Sequence, residues 1–155
     1  QLDFAMPERF DVTYVDTDGK LKRPVIIHRT VLGSIQRFTG ILIEHFKGAF
    51  PLWLAPEQIW ILPVSDKFLL YADSVRRRLQ QEYPSLRVAC KTENETLGKK
   101  IREGETQKIP YLLIVGEREE TAKTVSVRKR GKGDIGSMAT AEFFDMITKE
   151  IQLRI

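Results

Sequence analysis

From Gln58 onward, short apolar runs alternate with amphipathic ones, and this alternation limits the fold class before any single residue does. QIWILPV (58–64), LRVACK (86–91) and IPYLLIVG (109–116) are the right length for buried strands. Between the first two, residues 67–83 place Phe68, Ala72, Val75 and Leu79 on one helical face, with Arg76, Arg77 and Arg78 mostly outward, and Pro84 stops the helix. A shorter helix over 94–104 carries Leu97 and Ile101 one turn apart. Thr124–Lys129 reads as an antiparallel neighbour of the 109–116 strand. Thr140 then caps a last helix, with Glu142 in its first turn and Phe143, Phe144, Ile147 and Ile151 apolar. Strands joined through helices must pair in parallel, with the helices on the sheet faces. The expected fold is α/β: a mixed, mainly parallel sheet flanked by helices.

The 155 residues suffice for one domain, or a small domain plus an extension. The Pro-bracketed segment PLWLAP (51–56) places a boundary there, giving units 1–56 and 57–155. In the first, FDVTYV (10–15) alternates as a strand does, and DTDGK (16–20) is a turn. PVIIHRT (24–30) reads as a second strand, whose three consecutive β-branched residues predict burial on both faces. Ser34 is a good N-cap for a helix to about Lys47, with Ile35, Phe38, Leu42 and Phe46 as its buried stripe and Gly48 ending it.

No apolar run approaches the ~20 residues of a membrane helix, and the acidic, polar opening QLDFAMPERFD does not resemble a signal peptide. Gln1 in place of an initiator Met suggests a piece of a longer protein. The single Cys90 excludes an internal disulfide and fits a reducing compartment; the cytoplasm is expected, with an organelle as the alternative. Cys90 itself reads as structural. P-loop, dinucleotide-binding and nucleophile-elbow signatures are all lacking.

Three features bear on chemistry. Gly33, Arg37 and Gly40 share one helix face with Ser34 beside them. A helix-interior glycine costs about 1 kcal/mol against Ala, so something approaches closely there: a neighbouring strand, or a flat ligand on which Arg37 stacks. His28, inside an apolar strand, is either a hydrogen-bonded core residue or one ligand of a site that no CxxC or HxxxH pattern here completes. Third, residues 121–133 hold five basic side chains and no acid. In TVSVRKR, Ser126, Arg128 and Arg130 share the face opposite Val125 and Val127. That face is either a solvated hairpin or, near Asn94, a surface for single-stranded RNA, with Arg contacting phosphates and Asn and Glu reading base edges. The net charge of +4 is compatible with such a partner.

GSIQRFTGILIEH resembles motif 3 of class II aminoacyl-tRNA synthetases. With QLDF at the start, PVIIHR before the motif and GAFPLWLAP after it, the chain resembles the C-terminal end of the threonyl-tRNA synthetase family. KIREGETQKIPYLLIVGERE and VSVRKRGKGDIGSM are similar to the anticodon-binding domain that follows there. The resemblance covers essentially the whole chain. It implies that residues 1–56 close an antiparallel-sheet catalytic domain and that 57–155 bind the anticodon. It implies an enzyme that activates threonine with ATP and Mg2+ and transfers it to tRNA, acting as a homodimer with a catalytic Zn2+ and no membrane partner. Arg37 matches the catalytic, ATP-binding arginine; His28 matches a zinc ligand whose partners lie upstream; Gln1 and Ser34 match positions near the bound threonine or adenylate. Asn94, Glu119 and Arg128 match anticodon contacts. Gln36 stands where the family usually has Glu, which removes a charge beside Arg37. By the same token the chain alone should catalyse nothing. The competing expectation is a stand-alone tRNA- or protein-binding module without catalysis.

Overall fold

A computed structural model describes residues 1–154. Its contacts divide the chain into two compact units, Gln1–Ile41 and Leu42–Ile155. None of the described helices is long and apolar enough to cross a membrane.

The first unit is built from short pieces. Strand β1 (Leu2–Asp3) leads into helix α1 (Ala5–Arg9), which Asp3 caps by accepting the Ala5 and Met6 N–H groups, each at 3.0 Å. Strands β2 (Tyr14–Val15) and β3 (Leu21–Lys22) form a hairpin about the expected Asp16–Lys20 turn, where Gly19 sits at φ +75°. Lys22 closes the turn by pairing with Asp16 and, at 3.4 Å, with Asp18. Strand β4 (Ile26–Ile27) pairs antiparallel with β1, Ile27 opposite Leu2. Two expectations fail here. The 10–15 strand shrinks to two residues, because 5–9 are helical and Asp11 turns the chain at φ +50°. The 24–30 strand is not buried on both faces: Ile27 is 73% exposed, because β1 is its only neighbour and nothing in the unit covers either face.

Helix α2 (Ile35–Phe46) carries the point where the units divide. Its expected stripe is only half-buried at Phe38, Leu42 and Phe46, and Ile35 is exposed. Gly48, at φ +76°, returns its N–H to the Ile43 carbonyl and ends the helix as expected.

The second unit has three layers. Strands β5 (Ile59–Pro63), β6 (Val88–Cys90), β7 (Tyr111–Val115), β8 (Thr124–Lys129) and β9 (Gly133–Ala139) form one sheet in the order β6-β5-β7-β8-β9. β5 pairs in parallel with β6 and β7, and the β7–β8 and β8–β9 pairs are antiparallel. The sheet is mixed, as expected. Its antiparallel share is larger than expected because β9, GDIGSMA, has no apolar alternation to announce it. Helices α3 (Leu69–Glu82) and α6 (Thr140–Leu153) cover one face: Tyr71, Ala72, Val75, Leu79, Phe143 and Ile147 pack on Ile59, Ile61, Leu113, Val125 and Val127. Phe68, expected inside α3, lies in a 3-10 turn (Asp66–Phe68) before it and is half-buried; Tyr71 takes the inward place. Helix α4 (Leu97–Thr106) lies on the other face, where Leu97 and Ile101 meet Trp60, Leu62 and Leu112. A short helix α5 (Glu117–Ala122), absent from the sequence reading, follows β7 directly. Leu52, 1% exposed, belongs to the core of this second unit, so contacts draw the dividing line well before the expected Pro56.

Candidate nucleic-acid interface

The chain leaves β5 on one side through α3 to reach β6, then crosses through α4 to β7 on the other side of β5. The carboxyl ends of β5, β6 and β7 therefore frame a switch point, the place where open α/β sheets bind ligands. Residues following these strands line a cleft of about 160 Å3: Val64, Ser65 and Asp66 after β5, and Glu93, Asn94 and Glu95 after β6, with Lys100 from α4. Thr96 caps α4 by accepting the Lys99 N–H at 3.4 Å, so exposed Asn94 sits in the loop before the helix rather than on it.

Glu119 belongs to the same edge. Its Oε2 accepts the Gly116 N–H at 3.0 Å, tying the start of α5 to the end of β7. A side chain on Gly116 would come within 3.2 Å of Val64, so glycine is what lets the two strand ends close up.

Arg128 lies elsewhere on the sheet. It stands opposite Leu112, on the α4 side, three residues back from the Val115 edge, or roughly 10 Å along the strand. Its Nη2 donates to Glu105 Oε1 at 3.3 Å, and its Nε is buried without a partner. Arg128 and Glu105 share a cavity of about 260 Å3 with Ile109, Leu112 and the Gly131 turn. The expected second RNA-facing arginine is not free. Arg130 donates to the carbonyls of Lys108 at 2.6 Å, Phe50 at 2.6 Å and Ala49 at 3.2 Å, and partial burial lowers its pKa. It is a structural clamp.

Cys90 is half-buried and burial pushes its thiol pKa up, against a reactive role. Periodicity overlooked Lys100 and Glu105. Lys100 lies on the same helix face as Leu97, Ile101 and Gly104, and a lysine on an inward stripe was the available signal.

The residues read as catalytic lie in the first unit. His28 Nε2 is 3.1 Å from Asp3 Oδ2, and its backbone N–H donates to the Gln1 carbonyl at 2.9 Å. Asp3, which also holds the two α1 N–H groups, is kept below the usual carboxylate range first by the Met6 N–H bond and further by His28. Ser34 Oγ donates to Gln36 at 2.8 Å and lies 3.5 Å from the Arg37 N–H. Arg37 is exposed, without an ion pair among the described residues; Gly33, at φ +66°, lies before α2 rather than on its face as expected, and apart from the adjoining backbone no described atom comes within 4 Å of where a Gly33 or Gly40 side chain would start.

A switch-point cleft and, farther along the sheet, an arginine-bearing face give the second unit the features of an α/β ligand-binding domain, and comparison with known proteins says of which class. Residues 58–150 match the anticodon binding domain family, to which the chain belongs. More particularly, it is similar to threonine–tRNA ligases. It is 52% identical to the threonine–tRNA ligase of Desulforamulus reducens over 98% of its length, and 53% identical to that of Syntrophomonas wolfei over its full length. It spans about a quarter (24%) of the length of each. The RNA binding domain of threonyl-tRNA synthetase from Cryptosporidium parvum superposes on 97% of the chain and 38% of that structure, with a TM-score of 0.75 and 35% identity.

Proposed function

We propose that the chain works within an enzyme that activates threonine with ATP and Mg2+ and transfers it to tRNA, and that its second unit reads the anticodon of that tRNA. The observation that carries the reading is the switch-point cleft lined by Asn94, with Glu119 held at the end of β7 on the same sheet edge and, farther along the sheet, Arg128 with one weak partner. Splayed anticodon bases offer hydrogen-bonding edges to Asn94 and Glu119, and Arg128 supplies a stacking or phosphate contact. The domain division at Pro56 belongs to this reading: residues 1–56 close the catalytic domain by descent, although contacts group 42–56 with the second unit.

In the first unit, exposed Arg37, on the same helix as Gly40, suits the adenine and phosphates of ATP, and Gln1 and Ser34 suit the threonine or adenylate. Among the described residues no group of three His, Cys, Asp or Glu side chains could hold a metal. His28 can offer only one ligand to a zinc, with Asp3 fixing its ring, and no step is derived through that metal. The intact enzyme is read as a cytoplasmic homodimer. The test is aminoacylation: the intact protein should charge threonine tRNA, Arg37→Ala should abolish threonine-dependent pyrophosphate exchange, and Arg128→Ala should raise KM for tRNA while sparing that exchange. An Arg37→Ala enzyme with full exchange activity would overturn the catalytic part.

A further inference from the structure

Arg130 ties together elements that are far apart in the chain. Its guanidinium donates to the Lys108 carbonyl, just beyond α4, and to the Ala49 and Phe50 carbonyls, just beyond α2. Its own backbone N–H donates to the Pro110 carbonyl at 2.9 Å, which fixes the end of β8 beside the start of β7. Lys108 adds a neighbouring rung, its ammonium donating to the Lys47 carbonyl at the end of α2.

The same corner carries the Arg128 contact. Glu105, in the last turn of α4, accepts from Arg128 at 3.3 Å through its carboxylate and from the Lys108 N–H at 3.1 Å through its carbonyl. Arg128–Glu105 and Arg130–Lys108 are thus two rungs joining β8 to the end of α4, and the second continues to the end of α2. Arg130 is not packed solid in this place. With Ile109 it lines both the 260 Å3 cavity that holds Arg128 and a second hollow of about 190 Å3, whose walls include Gly48, Phe50 and Ala55. Protein interiors are close-packed, so space on both sides lets the guanidinium shift without displacing packed neighbours. Arg128 has two alternative partners, Glu105 and, on the anticodon reading, RNA. That alternative supplies the two discrete arrangements that coupling needs. Helix α2 runs unbroken from Ile35 to Phe46, so a shift of its end reaches the turn of Arg37, about 14 Å back along the axis.

We propose that Arg130 is a positioning residue, which passes the capture of Arg128 by RNA on to the C-terminal end of α2. RNA draws Arg128 off Glu105, the ends of α4 and β8 shift against each other, and the Ala49 and Phe50 carbonyls follow the guanidinium. The anticodon then affects how fast the bound tRNA is charged, as well as how tightly it binds. The inference rests on the anticodon reading and adds this rate effect to it.

The test compares two tRNAs on the intact enzyme that differ only in the anticodon, one a threonine triplet and one swapped. Affinity is measured by filter binding. The charging rate is measured in a single turnover at saturating enzyme, where binding no longer limits. Wild type prefers the threonine anticodon in both, and its saturated rates differ by on the order of five-fold or more, the low end of a typical coupling. Arg130→Ala brings the two saturated rates together, and Arg130→Lys narrows the gap, while the ratio of affinities stays that of wild type. A merely structural clamp would slow both tRNAs alike and leave the rate ratio untouched; that result overturns the proposal. A wild-type rate that ignores the anticodon, beside an affinity that does not, also overturns it and leaves the anticodon reading standing. If affinity ignores the anticodon as well, the anticodon reading fails and the proposal with it. Folding is checked by the urea midpoint. Should Arg130→Ala not fold, the rungs are weakened singly, in Arg130→Lys and in Lys108→Met, the latter at an exposed position. A rate ratio unchanged in both overturns the proposal.

Discussion

Arg130→Ala separates scaffold from RNA contact within one basic run. In the wild type the guanidinium spans three carbonyls, two at 2.6 Å and one at 3.2 Å, fastening the β8–β9 turn to Ala49–Phe50 and to Lys108 at the end of α4. A hydrogen bond to a charged donor contributes about 1.5–3 kcal/mol when lost from a buried site. Two of these bonds are part-buried and one is exposed, so solvent takes over some of the loss. The expected cost is about 2–4 kcal/mol. With a urea slope of about 2 kcal/mol/M, mid-range for small domains, the midpoint should fall by roughly 1–2 M without a change in slope. Arg130→Lys should recover only part, since one ammonium cannot reach three carbonyls. A midpoint unchanged by Arg130→Ala would refute the reasoning and return Arg130 to the RNA-binding face.

Arg128→Ala should behave oppositely: unfolding within ~0.5 kcal/mol of wild type, but tRNA binding weaker by about 1–3 kcal/mol, measured by filter binding. Gly104→Ala should destabilise by a net of about 1–2 kcal/mol in urea. The new methyl would lie 2.6 Å from a Leu112 methyl and 3.3 Å from Trp60, both fully packed, and overpacking outweighs the ~1 kcal/mol gained in helix propensity. Tyr111 donates to Glu150 at 2.6 Å, and burial first, then that bond, raises its pKa. A raised folded value means the contribution is full below the unfolded pKa of about 10 and fades above it. Unfolding followed from pH 8 to 11 should show stability falling above ~10, and Tyr111→Phe should flatten that fall. The 155-residue chain alone should show no threonine-dependent pyrophosphate exchange.

What was legible in the sequence was what periodicity controls. QIWILPV and IPYLLIVG became β5 and β7, and the α3 and α6 stripes found the core, because burial on both faces or on one face writes a clear pattern. β9 escaped because GDIGSMA pairs with β8 and packs only Ile135 and Met138 on the core, at a spacing that is not a strand's alternation. α5 escaped because its six residues are mostly charged and are set by the Gly116–Glu119 cap. Strand alternation put Arg128 and Arg130 on one face, but it could not tell which guanidinium would find carbonyls to clamp. In the first unit the β-branched run predicted burial that two-residue strands do not provide, leaving Val25 and Ile27 exposed.

The central claim is that the second unit discriminates anticodons. Its most direct measurement is calorimetric titration of the protein with two full-length tRNAs that differ only in the anticodon, one bearing a threonine anticodon and one a swapped triplet. Tighter binding of the first by at least ten-fold is expected, each mismatched base contact costing ~1–3 kcal/mol, with loss of most of that preference in Asn94→Ala and a uniform weakening in Arg128→Ala. Equal affinity for the two tRNAs would contradict it.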